Sequence, residues 1–383
     1  MKLVVQHPHR REDISGVVTS IEEMLPELAS RKGVEVRVLS TKDSALWQQI
    51  GAVWWADAIM LNSNCLAMTI VARLLRRRTL LKLHYVQYHS VHVNYVPMSF
   101  RRRIAAELRH FRGLKSGPLY LAESVGRLVL RTLSALLVHR VCACSRFGAE
   151  QASLPRDVRV LRNPMRIPAG QRERDLASLE RPLRFVFIGR VTHDKGCDTV
   201  VDAAREIAKS GRDFRIDVIG EGPHLAEMKK QVAEHGLTAQ FRFFGRLDSI
   251  HALATMSGAL AAIMPSRSQE TAGYIPVEAA SRRVMSIVST VGGLAETAGP
   301  DCPTFTAGRA DELAQLMIRY LDDPSQALAA GYSAYRRAQE RYSPRLIVDE
   351  LLALLAAKKS PQKDPDVRGD LNAAQRDAQP EHR

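Results

Sequence analysis

Two stretches of this chain join a strand-like apolar run to a short polar loop and then to a helical pattern, and each loop carries side chains suited to an anionic ligand. In FVFIGRVTHDKGCDTVVDAAREI, Gly189 permits a sharp turn at the strand end. Arg190 and Lys195 then fall on a loop at the carboxyl edge of a sheet, where open α/β sheets bind ligands. A guanidinium forks onto two phosphate oxygens and an ammonium adds a compact charge, so the pair suits a diphosphate; the plain alternative is two solvated surface cations. In MPSRSQETAGYIPVEAASR, Glu270 and Glu278 stand eight positions apart with Gly273 between them. A helix beginning near Thr271 would aim unpaired N–H groups and its positive dipole end at an anion. At a rise of about 1.5 Å per residue the carboxylates would be on the order of 10 Å apart. That separation allows each to accept from a hydroxyl on either side of a diphosphate, the alternative being two exposed helix carboxylates.

Such loops need sheets to hold them. Short β-rich apolar runs alternate with helical patterns twice along the chain, the signature of α/β domains with parallel sheets and helices on both faces. Strands are predicted at Leu3 to Gln6, Val34 to Leu39, Ala58 to Leu61, Leu80 to His84 and Arg140 to Cys144. The pattern restarts at Arg184 to Ile188, Arg215 to Ile219, Arg242 to Phe244, Ala261 to Met264, Ser286 to Ser289 and Thr304 to Thr306. Residues 1–165 are expected to form one Rossmann-like domain, 166–182 a linker with Pro168 and alternating charges, and 183–342 a second Rossmann-like domain. Residues 343–357 make a last helix, apolar at Leu346, Ile347, Leu351, Leu354 and Leu355, that must dock on something and could cross back to the first domain. Residues 358–383 have too few apolar side chains to offset the entropy of ordering them, and a disordered tail is expected.

Five pieces in order, GRVTHDKG at Gly189 to Gly196, VIGEGP at Val218 to Pro223, FFGRL at Phe243 to Leu247, PSRSQETAGYIPVEA at Pro265 to Ala279 and STVGGLAE at Ser289 to Glu296, resemble family 4 of the retaining glycosyltransferases. The resemblance implies the glycosyltransferase B fold, two Rossmann-like domains facing each other across a cleft, with the acceptor on the first and a nucleoside-diphosphate sugar on the second. It implies sugar transfer to a hydroxyl with retention, and no metal or other cofactor. By the same resemblance Arg190 and Lys195 bind the donor diphosphate and stabilise the departing charge. Glu270 faces the transferred sugar, Glu278 the ribose, and the backbone of Thr271, Ala272, Gly273 and Tyr274 the distal phosphate. Arg246 falls near the family's base-binding region, with a surface arginine as the alternative. The first half is similar at Gly16, in a loop that approaches the donor phosphates, and at His84, near the reacting sugar. The chain departs from the family at Ser15, where a second glycine is common, and at Arg283 and Met285, where a glycine and a proline are usual.

The formal net charge of +14 points to anionic partners: nucleic acid, an anionic membrane or phosphorylated small molecules. Between Arg76 and Lys115 ten Lys or Arg residues face one acid, Glu107, and FRRRIAAELRHFRGLKSG can wind into a basic amphipathic helix. Such a surface suits anionic headgroups or a lipid-linked acceptor, so the expected setting is cytoplasmic, peripheral on the inner face of a membrane, in polysaccharide or glycolipid assembly. Leu119 to Val138 is interrupted by Glu123, Arg127 and Arg131 and reads as amphipathic, not spanning. The start, MKLVVQHPHRRED, lacks the apolar core of a secretion signal. Five cysteines, Cys65, Cys142, Cys144, Cys197 and Cys302, have no paired metal-ligand spacing and fit a reducing compartment. The DxD-type triplet Asp364-Pro365-Asp366 lies in the expected tail, so no metal is foreseen. The alternatives are an epimerase or phosphorylase of the same architecture and, from another class, a basic nucleic-acid-binding module. Tyr85, Tyr88 and Tyr95 beside the basic region lack any nucleic-acid motif, and no nucleic-acid partner is expected.

Overall fold

The structure, a computed structural model, describes residues 1–10, 15–85, 99–111, 117–168 and 173–357. The first half runs β1 (Lys2–His7), α1 (Gly16–Ser30), β2 (Glu35–Ser40), α2 (Leu46–Trp55), β3 (Ala58–Leu61), α3 (Leu66–Leu74), β4 (Arg78–Leu83), α4 (Phe100–Phe111), α5 (Gly117–Leu137), β5 (Arg140–Ala143), α6 (Arg146–Glu150) and β6 (Val158–Val160). The second runs β7 (Arg184–Ile188), α7 (Cys197–Lys209), β8 (Arg215–Ile219), α8 (Leu225–Glu234), β9 (Phe241–Gly245), α9 (Ser249–Ser257), β10 (Ala261–Met264), α10 (Ile275–Ser281), β11 (Met285–Ser289), α11 (Leu294–Ala298) and β12 (Thr304–Phe305), closing with α12 (Ala310–Asp322), α13 (Pro324–Tyr342) and α14 (Pro344–Ala356).

The two six-stranded sheets are parallel, in orders β2-β1-β3-β4-β5-β6 and β12-β11-β10-β7-β8-β9. The strand order reverses at β1, which lies between β2 and β3, and at β7, which lies between β8 and β10. Ligands bind in the crevice that such a reversal opens at the carboxyl ends of the strands. The loops there are those that carry Gly16, Arg190 with Lys195, and Glu270. Alternation along β1 feeds both faces of the first sheet: Leu3 and Val5 join the core under α1, and Val4 the core under α3 and α5.

Most expected strands agree with the observed ones within two residues. The edge strand β6 was not foreseen, because three residues are too few to display a period. His84 lies one residue past β4, and the helix expected near Thr271 begins instead at Ile275. Gly273, at φ 80°, keeps the chain out of helical geometry. Pro276, which lacks an N–H, belongs to a first helical turn and marks the true start.

Arg283 stands at φ 56°, the left-handed conformation that glycine adopts without strain, so the turn before β11 keeps a glycine-like shape. The Arg174 guanidinium donates to the Arg283 carbonyl at 2.9 Å and holds it, and β11 pairs with β10 from Met285 onward.

Helix α14 leaves the second domain and packs on the first. Its Ile347, Val348, Leu351 and Leu355 share a core with Ile21, Met24 and Leu28 of α1. Arg78 and Arg140 donate to the carbonyls of Leu355 and Ala357 at 3.2 and 3.3 Å, placing cations at the negative end of the helix. The tail from 358 and its Asp364-Pro365-Asp366 triplet lie outside the described residues, as do residues 86–98 and 112–116 of the basic region.

Candidate active site

A cleft of about 540 Å³ lies between the domains. The first domain contributes Gly16, Val17, His84, Tyr85, Cys144 and Asn163, and the second Arg190, Asp194, Lys195 and residues 268–275. Of the expected site residues, Gly16, His84, Arg190, Lys195, Glu270, Thr271, Ala272, Gly273 and Tyr274 therefore meet on one surface, and Glu278 does not line it.

Two donors converge on one oxygen of Glu270. Lys195 Nζ and Ser266 Oγ each reach Oε1 at 2.7 Å, which fixes the carboxylate and leaves Oε2, near Gly273, to accept from a ligand hydroxyl. Arg190 extends from the same loop with its side chain 70% exposed, 4.0 Å from Asp194. Burial pushes the Asp194 carboxyl up, but the Thr192 hydroxyl and the charges of Lys195 and Arg190 outweigh it and leave it below its ordinary value. Asp194 also accepts the backbone N–H groups of Arg267 and Ser268 at 2.8 and 3.2 Å through its carbonyl, tying the Lys195 loop to the Glu270 loop. The backbone N–H groups of Gly273, Tyr274 and Ile275 make no hydrogen bond with other described residues, and all three residues line the cleft.

On the opposite wall, His84 Nε2 lies 2.8 Å from Asn62 Oδ1 at the end of β3. Burial, with Lys82 and His9 adding to it, holds the ring well below its ordinary value, so it is neutral near pH 7. If Nε2–H is the donor to Asn62, Nδ1 is left as an acceptor. Ser15 caps α1 by accepting from the Val18 N–H at 3.3 Å, taking the place of a second glycine with a structural role. A Cβ on Gly16 would stand 3.3 Å from the Tyr274 ring, so the two domains approach closely at Gly16.

Glu278 sits in the first turn of α10, partly buried. Burial first, and then the Glu23 carboxylate of α1, raise its carboxyl above the usual range. Because the helix begins at Ile275, the path from Glu270 to Glu278 is not two helical turns, and the spacing expected from helix rise does not apply.

Sequence reasoning missed the residues that position others: Ser266, Asp194, Asn62 and Asn163. Ser266 and Asp194 lie within the motifs quoted above, while Asn62, just after β3, and Asn163, in the segment after β6, gave no local signal of a site. It also missed the contact that joins the domains beside the loop of Glu270 and Thr271. The Ser145 hydroxyl donates to the Thr271 carbonyl. Glu296 of α11 accepts the N–H groups of Arg146 and Phe147 at 2.9 and 3.1 Å, capping α6 from the other domain. Gly293 permits this approach, since a Cβ there would lie 2.1 Å from the Thr271 carbonyl oxygen.

Lys82, on β4, is fully buried behind the cleft and donates to the Arg162 carbonyl at 3.1 Å. Burial pushes its ammonium down from 10.5 to about 8, against the opposing influence of Cys144, Cys142 and Glu350. Below pH 8 the folded and unfolded chains both hold this proton and the burial cost is present in full. From pH 8 to 10.5 only the unfolded chain holds it, so this group adds stability as pH rises, on the order of 3 kcal/mol. Lys82→Met should therefore be more favourable relative to the wild type at pH 7 than at pH 10, as read by denaturant unfolding. A difference that does not change with pH would show that Lys82 does not titrate there.

Residues 171–337 match the family model described as glycosyl transferases, group 1. The 2-deoxystreptamine glucosyltransferase of Streptomyces kanamyceticus is 41% identical over 145 residues, covering 37% of this chain and 37% of that protein. The 2-deoxystreptamine N-acetyl-D-glucosaminyltransferase of Streptomyces fradiae is 30% identical over 274 residues, covering 67% of this chain and 60% of that protein. The chain thus spans less than two thirds of the length of either relative. Among solved structures, Anabaena HepE in complex with UDP aligns with a TM-score of 0.67 at 15% identity, over 92% of this chain and 99% of that one; the same protein has been solved with UDP-glucose. The fold is the two-sheet glycosyltransferase B architecture.

Proposed function

We propose that this chain is a group 1 glycosyltransferase that moves a hexosyl group from a nucleoside-diphosphate sugar to a hydroxyl acceptor, with retention and without a metal. The observation that carries this assignment is the convergence of Arg190, Lys195 and the oriented Glu270 carboxylate, from two separate loops, on a cleft closed by Gly16 and His84. As the sugar departs, negative charge grows on the leaving diphosphate. Arg190, Lys195 and the free N–H groups of the loop before α10 are placed to stabilise it. Glu270 Oε2 is placed to orient the sugar, and neutral His84 to meet it from the acceptor side.

The HepE complexes make uridine diphosphate sugars the first candidates. A ligand that binds only the folded chain raises its stability, so thermal melting with UDP, GDP, ADP and their sugars tests the proposal. Stabilisation of several degrees by one nucleotide series, lost in Arg190→Ala, is expected; no stabilisation by any series would remove the donor site. Glu270→Gln should impair transfer more than nucleotide affinity. Glu278→Ala should lower nucleotide affinity if its carboxylate reaches the ribose.

The acceptor side carries a basic and apolar surface. Trp47 and Trp54 of α2, Leu74 of α3 and Leu133 of α5 are exposed on helices packed side by side, near Arg73, Arg76 and Arg77. Arg101 and Arg102 of α4 are also exposed. No described helix is long and apolar enough to cross a membrane. Aromatic and arginine side chains on one surface suit an anionic bilayer, which supports a peripheral position on a membrane face and a lipid-linked acceptor in polysaccharide or glycolipid assembly. Sedimentation with anionic vesicles should exceed that with neutral ones and weaken with salt. Equal binding to both, with transfer to soluble 2-deoxystreptamine, would favour the acceptor chemistry named in the two relatives instead.

A further inference from the structure

A second cavity, of about 590 Å³, lies where the chain crosses between domains, bounded by α6 and β6, the end of α13 and the first turns of α14. Arg146, Arg156, Arg159, Arg162 and Arg341 face it against the carboxylates of Glu150, Asp157 and Glu350. These cations are not equivalent. The Arg156 guanidinium closes the end of α5, donating to the carbonyls of Ala135, Val138 and His139 at 2.8 Å each. Arg159 pairs with Asp157 at 2.7 Å. The guanidinium groups of Arg162 and Arg341 have no hydrogen bond or ion pair with any described residue, although both side chains are partly withdrawn from water. Buried Lys82, bonded to the Arg162 carbonyl, adds a further positive charge behind them. Like charges gathered in a concave, partly desolvated place repel unless an anion joins them, and guanidinium forks match phosphoryl oxygens.

We propose that this cavity binds the phosphoryl group of a small soluble anion, clamped between Arg162 and Arg341. The two arginines come from the two segments that connect the domains. Those segments are joined by the Met165 N–H donating to the Tyr342 carbonyl at 2.8 Å, so Arg341 is the neighbour of one partner and Arg162 lies three residues before the other. Asn163, next to Arg162, lines the donor cleft and accepts from the Ser20 hydroxyl of α1 at 3.2 Å. An anion held here braces the hinge and biases the domain arrangement on which the cleft depends. Binding itself does not rest on the proposed transferase activity; only its effect on turnover does.

The probe is inorganic pyrophosphate, titrated calorimetrically into the full chain, into Arg162→Ala/Arg341→Ala and into Arg190→Ala/Lys195→Ala. The wild type should bind at two sites. The hinge pair should lose one of them, by at least tenfold in affinity, and keep its nucleotide affinity, while the donor-loop pair should keep the hinge site. In wild type and donor-loop pair alike, pyrophosphate should slow amide exchange in the peptide that contains Met165, a readout that needs no hinge variant. Unchanged binding in the hinge pair, complete loss of pyrophosphate binding in the donor-loop pair, or unaltered exchange at Met165 would each overturn the proposal. Failure of the donor site alone would leave only the hinge binding in the wild type, so the two failures are distinguishable.

Discussion

Lys195→Ala is expected to lower kcat/KM by about 10²–10³-fold, the range found when one preorganised donor to a developing negative charge is removed. Lys195 serves two partners at once: its ammonium lies 2.7 Å from Glu270 Oε1 and faces the cleft beside Arg190. Without it, a carboxylate faces an anionic donor with one cation fewer, and Ser266 alone restrains its orientation. The loss should fall on both kcat and donor binding, because the same charge attracts the diphosphate and stabilises its departure. The melting temperature of the free protein should hardly move, since partly exposed ion pairs contribute little to stability. Turnover within a few-fold of the wild type would remove Lys195 from the site, and with it the account of Glu270.

Glu296→Ala should act at a distance from the chemistry. Its carboxylate accepts two backbone N–H groups of α6 across the domain boundary, next to the Ser145 bond to the Thr271 carbonyl. Hydrogen bonds to a charged acceptor contribute about 1.5–3 kcal/mol each, and part of that should appear as opening of the domains. Since about 1.4 kcal/mol is tenfold in rate, a fall of about 10–100-fold in kcat/KM is expected, mostly through KM for the donor. Glu296→Gln, which keeps one acceptor oxygen, should recover part of it. Distances between spin labels on the two domains provide the independent check. If they and the kinetics are the same in Glu296→Ala as in the wild type, the trans cap does not hold the donor loop.

The residues that read correctly from the chain alone are those whose signal is local. Strands β3, β7, β8 and β10 were legible to the residue because these central parallel strands are short, mostly apolar runs bounded by turn residues. The positions of Arg190, Lys195 and Glu270 were legible because each lies on the loop that follows such a strand, and the end of the strand dictates where the loop must begin. The start of α10 was misplaced, although Pro276 held the information: the polar run before it resembles a capping region, and only the backbone of Gly273 shows that the helix has not begun.

By itself, then, the order of residues determined two parallel α/β sheets, the loops at their carboxyl edges and the cationic character of one of those loops, because periodicity and turn chemistry act within a few neighbours. Only the tertiary structure decided that Lys195 and Ser266 share one oxygen of Glu270, that Glu278 feels the charge of Glu23, that α14 crosses back onto α1, and that Glu296 caps a helix of the other domain. Each of these contacts joins segments whose sequences carry no mark of one another. Their pairing is set by which apolar faces the two sheets must bury, and that competition is resolved across the whole chain at once.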